Sequence, residues 1–357
     1  MINESIHVAS SSRAEWTRTH CRRAPPIKPE PGNVGEPSRW RYTETMNAEL
    51  LSLLRCPKCR SALRFSSTDA LDCVSCEASF PFEGNVPRLA GESYVASFGR
   101  QWNRYDVARP EEDEAVFRVK TGLNPRDLAG KLVLDAGCGG GRYARLLGEA
   151  GAKVLGVDLS SAVEKASTLC KDMPNVAIVQ ADLLELPIAD ASFDVAFSIG
   201  VMHHSPNARK AFAQVASKVK PGGKLAVWLY RKNTWPQEAL NSALRALTMR
   251  MPTRVLERLC VGMGLIGGVP VLNKTLNKVA NFSNHPDWTL RVCDNFDWYA
   301  PRYQSHHTTE ELKIWFREEG FDDLVELSPA RSGRFYDWTY RHNLIIGSGV
   351  NVSGKRA

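Results

Sequence analysis

The chain has 357 residues, of which 43% are hydrophobic and 24% are charged, and its formal net charge is +7 at pH 7. The length fits one large domain or two smaller ones, and the proportions are ordinary for a globular protein, which argues against a fibrous or wholly disordered chain. The mild positive charge permits an acidic partner without requiring one.

The first 45 residues are rich in Ser, Arg, Pro and Glu and show no sustained apolar period. Such a segment cannot bury a core, so residues 1–45 are predicted to be a disordered tail; translation from Met46 is an alternative. No apolar stretch near the N-terminus is typical of a secretory signal. The longest uncharged apolar run, residues 259–272, is short for a membrane span. We therefore expect a soluble, cytoplasmic protein.

Residues 46–92 form a small module with four regularly spaced cysteines, Cys56, Cys59, Cys73 and Cys76. The pattern Cys-x2-Cys-x13-Cys-x2-Cys offers four thiolates in two turns, the arrangement that structural Zn²⁺ prefers. A module of this size has too small a core to fold unaided, so the metal would supply stability. Redox-active Cys-x-x-Cys is the alternative. We expect the sheet that follows to bind its ligand without this module.

Residues 93–130 connect the module to the next domain. In the first part of this segment, aromatic and polar side chains recur at helical spacing, which predicts a helix. From residue 131 to residue 230, short aliphatic runs alternate with helical segments. Alternation of this kind predicts a parallel, doubly wound sheet. The runs predicted as strands are residues 131–135, 152–159, 175–182, 193–200 and 224–230.

The alternation stops at residue 231 and resumes at a helix that begins at Thr308 or Thr309 and ends at Gly320. Residues 231–307 are therefore predicted to be a helical insertion, which we expect to cap the substrate site. Its apolar stripe and glycine-rich run favour helix packing, a lipid-like substrate, or contact with a membrane surface. Residues 308–350 are predicted to complete the sheet domain, with strands near 324–328 and 341–347.

The turn after the first predicted strand, "DAGCGGG", contains Gly137, Gly139 and Gly141 directly after Asp135. Glycines let the backbone approach a ligand closely, and the N-terminus of the following helix then faces it. A carboxylate at Asp135 attracts an ammonium group and repels a pyrophosphate. Asp158 ends the second strand, where its carboxylate can accept both hydroxyls of a ribose.

"DAGCGGG", "GVDLS", "ADLLELP" and "PGGKLAV", in this order, resemble the class I S-adenosylmethionine-dependent methyltransferases. The resemblance covers residues 131–230 closely and 308–347 loosely. It implies a doubly wound, mostly parallel, seven-stranded Rossmann-like α/β sheet with S-adenosylmethionine as cofactor. It also implies which residues contact the methyl donor: Asp135, Gly137, Gly139 and Gly141 at the methionine end, Asp158 and Leu159 at the ribose, Asp182 and Leu183 at adenine, and Ile199 beneath the ligand.

Two further resemblances concern the N-terminal half. The stretch "SFGRQWNRYD" is similar to a helical lid over the methyl donor in some bacterial small-molecule methyltransferases, although a plain packing helix fits equally. Four of its residues have the helical spacing in question: Phe98, Gln101, Trp102 and Tyr105. The cysteine module resembles the zinc ribbon of methyltransferase partner proteins and a ribbon fused to some ribosomal-RNA guanine methyltransferases.

Methyl transfer needs a nucleophile held in line with the methyl group, and sometimes a base. His204, after the fourth strand, and Tyr303 and His306, at the end of the insertion, are the predicted catalytic residues. Loop histidines that only bond backbone, and an aromatic cluster that only packs the loop, are the alternatives. The predicted function is methylation of a small-molecule acceptor of the metabolite or saccharide type. RNA methylation assisted by the ribbon, a lipid-like acceptor, and a binding-only module are the alternatives.

Overall fold

The structure is a computed structural model that describes most of the chain from residue 48 onward. The described residues are 48–66, 70–91, 93–95, 99, 110–269, 271–272, 283, 285, 287–327 and 349–357. The tail predicted at 1–45 and the residues predicted to form a lid (Phe98, Gln101, Trp102 and Tyr105) lie outside them.

The cysteine module contains one short helix and four strands in an antiparallel sheet of order β1-β2-β3-β4. Its elements are α1 (Ala48–Ser52), β1 (Leu63–Phe65), β2 (Ala70–Cys73), β3 (Ser79–Glu83) and β4 (Val86–Pro87). The first Cys-x-x-Cys pair lies before β1, and the second begins at Cys73, the last residue of β2, and continues into the turn that follows.

The second domain alternates strands and helices, as its sequence pattern predicts. Its elements up to the insertion are α2 (Pro110–Thr121), β5 (Leu132–Ala136), α3 (Arg142–Glu149), β6 (Lys153–Asp158), α4 (Val163–Leu169), β7 (Val176–Gln180), β8 (Phe193–Ile199), α5 (Ala208–Ala216) and β9 (Val219–Tyr230). Every residue of β5 and β7 is buried, because helices cover both faces of a parallel sheet.

The sheet has seven strands in the order β10-β11-β9-β8-β5-β6-β7. Strands β5 to β9 are parallel to one another, whereas β11 is antiparallel to both of its neighbours. The chain therefore winds outward from β5 in one direction through β6 and β7, and in the other through β8 and β9. This confirms the predicted mostly parallel, doubly wound, seven-stranded sheet.

The C-terminal part of the domain contains α9 (Thr309–Glu318), β10 (Phe321–Glu326) and β11 (Gly349–Arg356). Thr308 is the N-cap of α9 and forms a capping box with Glu311, and Gly320 follows the helix with φ +77°, which only glycine adopts without strain. The last described strand runs to residue 356, so the boundary predicted at 350 is too early. The strand predicted at 341–347 lies outside the described residues.

The insertion after β9 is helical, with α6 (Trp235–Thr248), α7 (Thr253–Gly267) and α8 (Trp288–Tyr299). It packs on the end of β9 through a separate apolar cluster that includes Trp228, Phe296 and Trp298. Within the described part of the chain, no helix has both the length and the apolar composition that a transmembrane segment needs.

The cysteine module is not independent of the sheet domain. Leu50, Leu51 and Leu54 belong to the same buried cluster as side chains of β5 to β9. The backbone amide of Arg55 donates to Pro187 O at 2.8 Å, and Arg60 Nη1 donates to Leu186 O at 2.7 Å. The two parts therefore share one core, and the expectation that the sheet binds its ligand without the module stays a prediction.

Candidate functional site: a cavity at the carboxyl ends of the strands

A cavity opens where the carboxyl ends of β5 and β8 diverge, the point at which the chain reverses its winding direction. Ligands of open α/β sheets bind in this crevice. It is lined by residues that follow β5, β6 and β8, by the end of β9 and by helix α8. The sheet topology therefore gathers residues that are far apart in sequence into a single site.

The glycine turn between β5 and α3 forms one wall of the cavity through Gly137, Gly139 and Gly140. Gly137 has φ +93° and a Cβ there would overlap Val201, so only glycine fits. Gly141, the N-cap of α3, has φ +84°, and a Cβ on it would lie 2.8 Å from Ala166 Cα. The turn therefore places backbone atoms without Cβ groups beside the cavity, as the sequence predicts.

Asp158 lies at the end of β6, lines the cavity and holds the glycine turn in place. Its Oδ2 accepts from the Gly139 amide at 2.9 Å, and its Oδ1 accepts from the amide and hydroxyl of Ser160 at 2.8 and 2.7 Å. Burial raises the pKa of this carboxyl. Leu159, which follows it, also lines the cavity.

Asp135 lies at the end of β5 and is only 2% exposed. Among the described residues, its Oδ2 has no hydrogen-bond partner, and the residue lines the cavity. Burial, together with the nearby negative charge of Asp158, raises the pKa of the Asp135 carboxyl to about 8. A buried carboxyl oxygen without a partner is energetically unfavourable unless a ligand supplies a donor or a positive charge.

The segment after β7 contributes Leu183 to the cavity wall, whereas Asp182 lies just behind it. Asp182 caps the short 3-10 helix Leu183–Glu185 by accepting from the Leu184 amide at 2.9 Å. The same oxygen accepts from the hydroxyl of Tyr94 at 3.0 Å, and Tyr94 lines the cavity. Asp182 therefore acts as a helix N-cap and is not itself among the residues that line the cavity.

Part of the cavity lining is aromatic and acidic. Trp228 and Tyr230 come from the end of β9, and Asp294 and Asp297 come from consecutive turns of α8. The hydroxyl of Tyr230 donates to Asp297 Oδ2 at 2.7 Å, which orients that carboxylate. The cavity also has basic side chains: the ammonium of Lys120 lies 3.8 Å from the centre of the Trp228 ring.

The two adjacent histidines after β8 have different surroundings. His203 Nδ1 accepts from the Tyr230 amide at 3.3 Å, and its ring stacks on that of Tyr230, with 3.8 Å between the centroids. His204 lines the cavity, and its Nδ1 lies 3.2 Å from the carbonyl oxygen of Tyr303. Because a carbonyl can only accept, Nδ1 of His204 carries the proton and Nε2 carries the lone pair.

His204 Nε2 lies 3.9 Å from Asp297 Oδ2. Burial lowers the pKa of His204 to about 4, although the charge of Asp297 acts in the opposite direction. The imidazole is therefore neutral at pH 7. A neutral imidazole with a lone pair beside a carboxylate can take a proton, because the carboxylate stabilises the imidazolium that results.

Tyr303 and His306 are not among the residues that line the cavity. Tyr303 provides its carbonyl to His204, and its ring packs edge-on against Tyr94. His306 Nδ1 lies 2.5 Å from Glu238 Oε2, and its ring stacks on Trp298. Of the three residues predicted to be catalytic, His204 is the one that lines the cavity.

The four cysteines of the N-terminal module form a cluster whose sulfurs all lie within 4.8 Å of one another. Cys56 and Cys76 are 3.6 Å apart, and Cys59 and Cys73 are 3.3 Å apart. A tetrahedron with Zn–S bonds of about 2.3 Å has S–S edges of roughly 3.8 Å. The donor set and its spacing therefore fit a structural zinc ion.

Comparison with known proteins supports this interpretation of the sheet domain. Residues 134–227 match a family model described as a methyltransferase domain. The O-methyltransferase cnsE of Penicillium expansum is 30% identical over 178 residues, which are 45% of this chain and 64% of that protein. The ubiquinone biosynthesis O-methyltransferase of Pseudomonas paraeruginosa is 28% identical over 152 residues, which are 42% of this chain and 66% of that protein.

The chain therefore spans just under two thirds of the length of these curated relatives. A solved S-adenosylmethionine dependent methyltransferase from Mesorhizobium loti has 21% identity and a TM-score of 0.39, and the superposition covers 64% of this chain and 92% of that one. Residues 134–227 thus match the methyltransferase domain model, and they lie within a mostly parallel, seven-stranded Rossmann-like sheet.

Proposed function

We propose that this chain is an S-adenosylmethionine-dependent methyltransferase that methylates a hydroxyl group of a small molecule. The observation that carries the donor assignment is the buried Asp135 oxygen beside the glycine turn, which has no partner among the described residues. A positively charged group bound here would supply the partner that this oxygen lacks among the described residues. When bound, S-adenosylmethionine supplies an ammonium group and an electrophilic methyl group.

The residues around the cavity fit this donor along its length. Asp135 and the glycine turn would hold the methionine end, Asp158 and Leu159 the ribose, and Leu183 the adenine face, with Ile199 beneath. The acceptor would then lie at the end formed by Trp228, Tyr230 and α8. In this arrangement the two ends of the cavity have separate tasks, donor binding and acceptor binding.

Oxygen methylation is supported by the acceptor end and by the relatives, which are named O-methyltransferases. His204 Nε2 would accept the proton of the acceptor hydroxyl, and Asp297 would stabilise the imidazolium. Tyr230 would orient Asp297, since its hydroxyl donates to that carboxylate. The aromatic rings of Trp228 and Tyr230 would exclude water and favour a planar acceptor.

The proposed function is tested by incubating the full chain with methyl-labelled donor, a metabolite extract and total RNA. We expect the label to enter small molecules. The labelled linkage should be an ether, which resists both alkali and mild acid. Label in RNA would instead support the ribbon-assisted RNA enzyme. Absence of label from every fraction, together with no heat on titration with the donor, would contradict a methyltransferase.

Donor binding should depend on pH through Asp135. Its raised pKa keeps the carboxyl protonated at pH 7 without a ligand, whereas a bound cation favours the carboxylate. Binding should therefore release a proton, and affinity should rise with pH up to about 8. Calorimetric titrations at pH 7 in two buffers of different ionisation enthalpy measure this proton, and Asp135→Asn should abolish it. Identical heats for the wild type in both buffers would contradict the role.

The same raised pKa predicts how Asp135 affects stability in the ligand-free protein. Because the folded pKa of about 8 exceeds the unfolded value near 4, its favourable contribution is complete below about pH 4 and is lost as the pH rises to about 8. Asp135→Asn should therefore stabilise the ligand-free protein most at pH 8 and above. The free energy of unfolding in urea, measured at pH 5 and pH 8, tests this sign.

For the cysteine module we propose one structural zinc ion held by Cys56, Cys59, Cys73 and Cys76. Cys56→Ser should release the metal, and it should also weaken donor binding. The reason is that the first cysteine turn is tied to the sheet domain. Arg55 lies directly before this turn and Arg60 directly after it, and they hydrogen-bond to Pro187 and Leu186 in the segment that carries Leu183. Loss of the metal would loosen that segment.

Metal content by elemental analysis and donor affinity by calorimetry check both parts of this expectation. Val74→Ser is a matched control, because Val74 is exposed in the second cysteine turn and offers no ligand. Metal near zero in the wild type would overturn the zinc assignment. Full donor affinity in metal-free Cys56→Ser would show that the shared hydrogen bonds do not couple the two parts.

A further inference from the structure

The helical insertion has an exposed surface that neither the sheet fold nor the proposed methyl transfer requires. In the described part of the chain, sixteen large hydrophobic side chains are exposed to solvent, and twelve of these lie between residues 235 and 288. A single exposed hydrophobic residue is ordinary on a protein surface, whereas a contiguous set marks an interaction site.

Helix α7 carries the centre of this surface. One of its faces is buried against the rest of the insertion through Leu256, Cys260 and Met263. The opposite face would be polar in an ordinary surface helix, but here it is largely apolar. We name this face, together with Val269 just after the helix, the apolar cap surface. It consists of Val255, Leu259, Val261, Leu265, Ile266 and Val269, of which Leu265 is 63% exposed.

The charges beside the apolar cap surface are almost all positive. Arg250, Arg254 and Arg258 are exposed, and Glu257 is the one acidic residue between positions 247 and 269. Arg254 and Arg258 lie on the same line of the helix as Val261 and Leu265, since these positions follow one another at intervals of three or four residues. Arginines therefore lie among the apolar side chains, at the end of the helix nearer its N-terminus.

This charge pattern decides which occupant fits. In a symmetric contact between two copies, the three arginines of each chain would have only one acidic side chain per chain on this segment, Glu257, as a partner, which is unfavourable. An anionic lipid surface instead offers phosphates to the arginines and an apolar interior to the valines and leucines. Because no described helix can cross a membrane, the contact would be parallel to the bilayer surface.

We propose that the apolar cap surface binds the surface of a membrane that contains anionic lipids. The surface lies one helix away from the cavity, because α7 packs against α8, and α8 carries the cavity residues Asp294 and Asp297. The enzyme's acceptor end is thereby placed next to the bilayer. The inference rests on the apolar cap surface and the arginines beside it, and it holds whether or not the cavity transfers a methyl group.

Flotation of the full chain with vesicles tests the proposal. One set of vesicles is phosphatidylcholine alone, and the other is a 3:1 mixture of phosphatidylcholine and phosphatidylglycerol. We expect flotation with the mixed vesicles, weaker flotation with the neutral ones, and a decrease in binding as salt is raised.

Two variants separate the apolar contribution from the charged one. Leu265→Ser with Ile266→Ser should lower affinity for both kinds of vesicle at least about tenfold, because two apolar side chains no longer enter the bilayer. Arg254→Gln with Arg258→Gln should lower affinity for the mixed vesicles by roughly 25-fold, about fivefold for each arginine, and leave neutral vesicles nearly unaffected.

Ile314→Ser is the matched control, because Ile314 is 49% exposed on α9, outside the insertion. Thermal unfolding should show that all variants are folded, since the substituted side chains are exposed. No flotation with either kind of vesicle would overturn the proposal. Concentration-dependent dimers that Leu265→Ser with Ile266→Ser abolishes, without vesicle binding by the wild type, would also overturn it and assign the surface to a second copy.

Discussion

Replacing Asp158 by alanine should raise the dissociation constant for S-adenosylmethionine by about 30- to 700-fold. This range corresponds to a loss of about 2–4 kcal/mol, as expected when buried polar partners lose a shared charged acceptor. The loss has two physical sources. The ribose hydroxyls would no longer have their acceptor, and the Gly139 amide would lose the oxygen that it donates to at 2.9 Å. The second effect loosens the glycine turn itself.

Calorimetric titration measures this affinity, and two further variants separate the two sources. Asp158→Asn keeps one carbonyl oxygen, which can still accept from Gly139 or Ser160, so its loss should be smaller than that of the alanine variant. Asp172→Ala removes an exposed carboxylate after α4 and should bind the donor like the wild type. Affinity of Asp158→Ala within a factor of two of wild type would exclude the ribose assignment.

The sheet and the glycine turn beside the cavity were predictable from the sequence because both depend on local patterns. The strands are continuous apolar runs that end at polar residues, and each run is short enough to exclude a helix. Asp135 and Asp158 end β5 and β6, and parallel strands place such ends at one edge. The glycine turn then follows from its own steric requirements, which Gly137 and Gly141 satisfy.

The acceptor end could be predicted only in part, because it is assembled by tertiary packing. Trp228 and Tyr230 stand two residues apart at the end of β9, which places both side chains on one face, and this signal was available in the sequence. Asp294 and Asp297 are three apart on α8 and so share a helix face. Nothing in the sequence, however, shows which face of α8 lies against the cavity.

The two histidines after β8 illustrate the same limit. Sequence position alone treats His203 and His204 alike, since both follow the fourth parallel strand. In the structure, the backbone amide of Tyr230 binds His203, and His204 is left to face the cavity. The position of His306 was misleading for the same reason, because its proximity in sequence to the sheet domain did not imply proximity to the cavity. Glu238 and Trp298, both in the insertion, hold its ring elsewhere.

Replacing His204 by alanine should lower kcat by about 10²- to 10⁴-fold, the usual contribution of a general base, while donor affinity changes little. The geometry gives the reason: the Tyr303 carbonyl fixes the proton on Nδ1, so Nε2 presents its lone pair 3.9 Å from Asp297. Because burial lowers the pKa of His204 to about 4, wild-type activity should fall only as the pH decreases towards that value. Single-turnover rates with the acceptor in excess, measured from pH 4.5 to 8, check this profile.

Asp297→Asn tests the partner of His204 and should also lower kcat, since the imidazolium formed during transfer loses its stabilising charge. Its fold should persist, because an amide oxygen can still accept from the Tyr230 hydroxyl. Tyr303→Phe should have a small effect, because Tyr303 contacts His204 through its backbone carbonyl rather than its phenol. His306→Ala is the discriminating comparison, since His306 lies outside the cavity lining. A large loss of kcat in His306→Ala with normal turnover in His204→Ala would transfer the role of base to His306 and require the acceptor to enter from the side of Trp298.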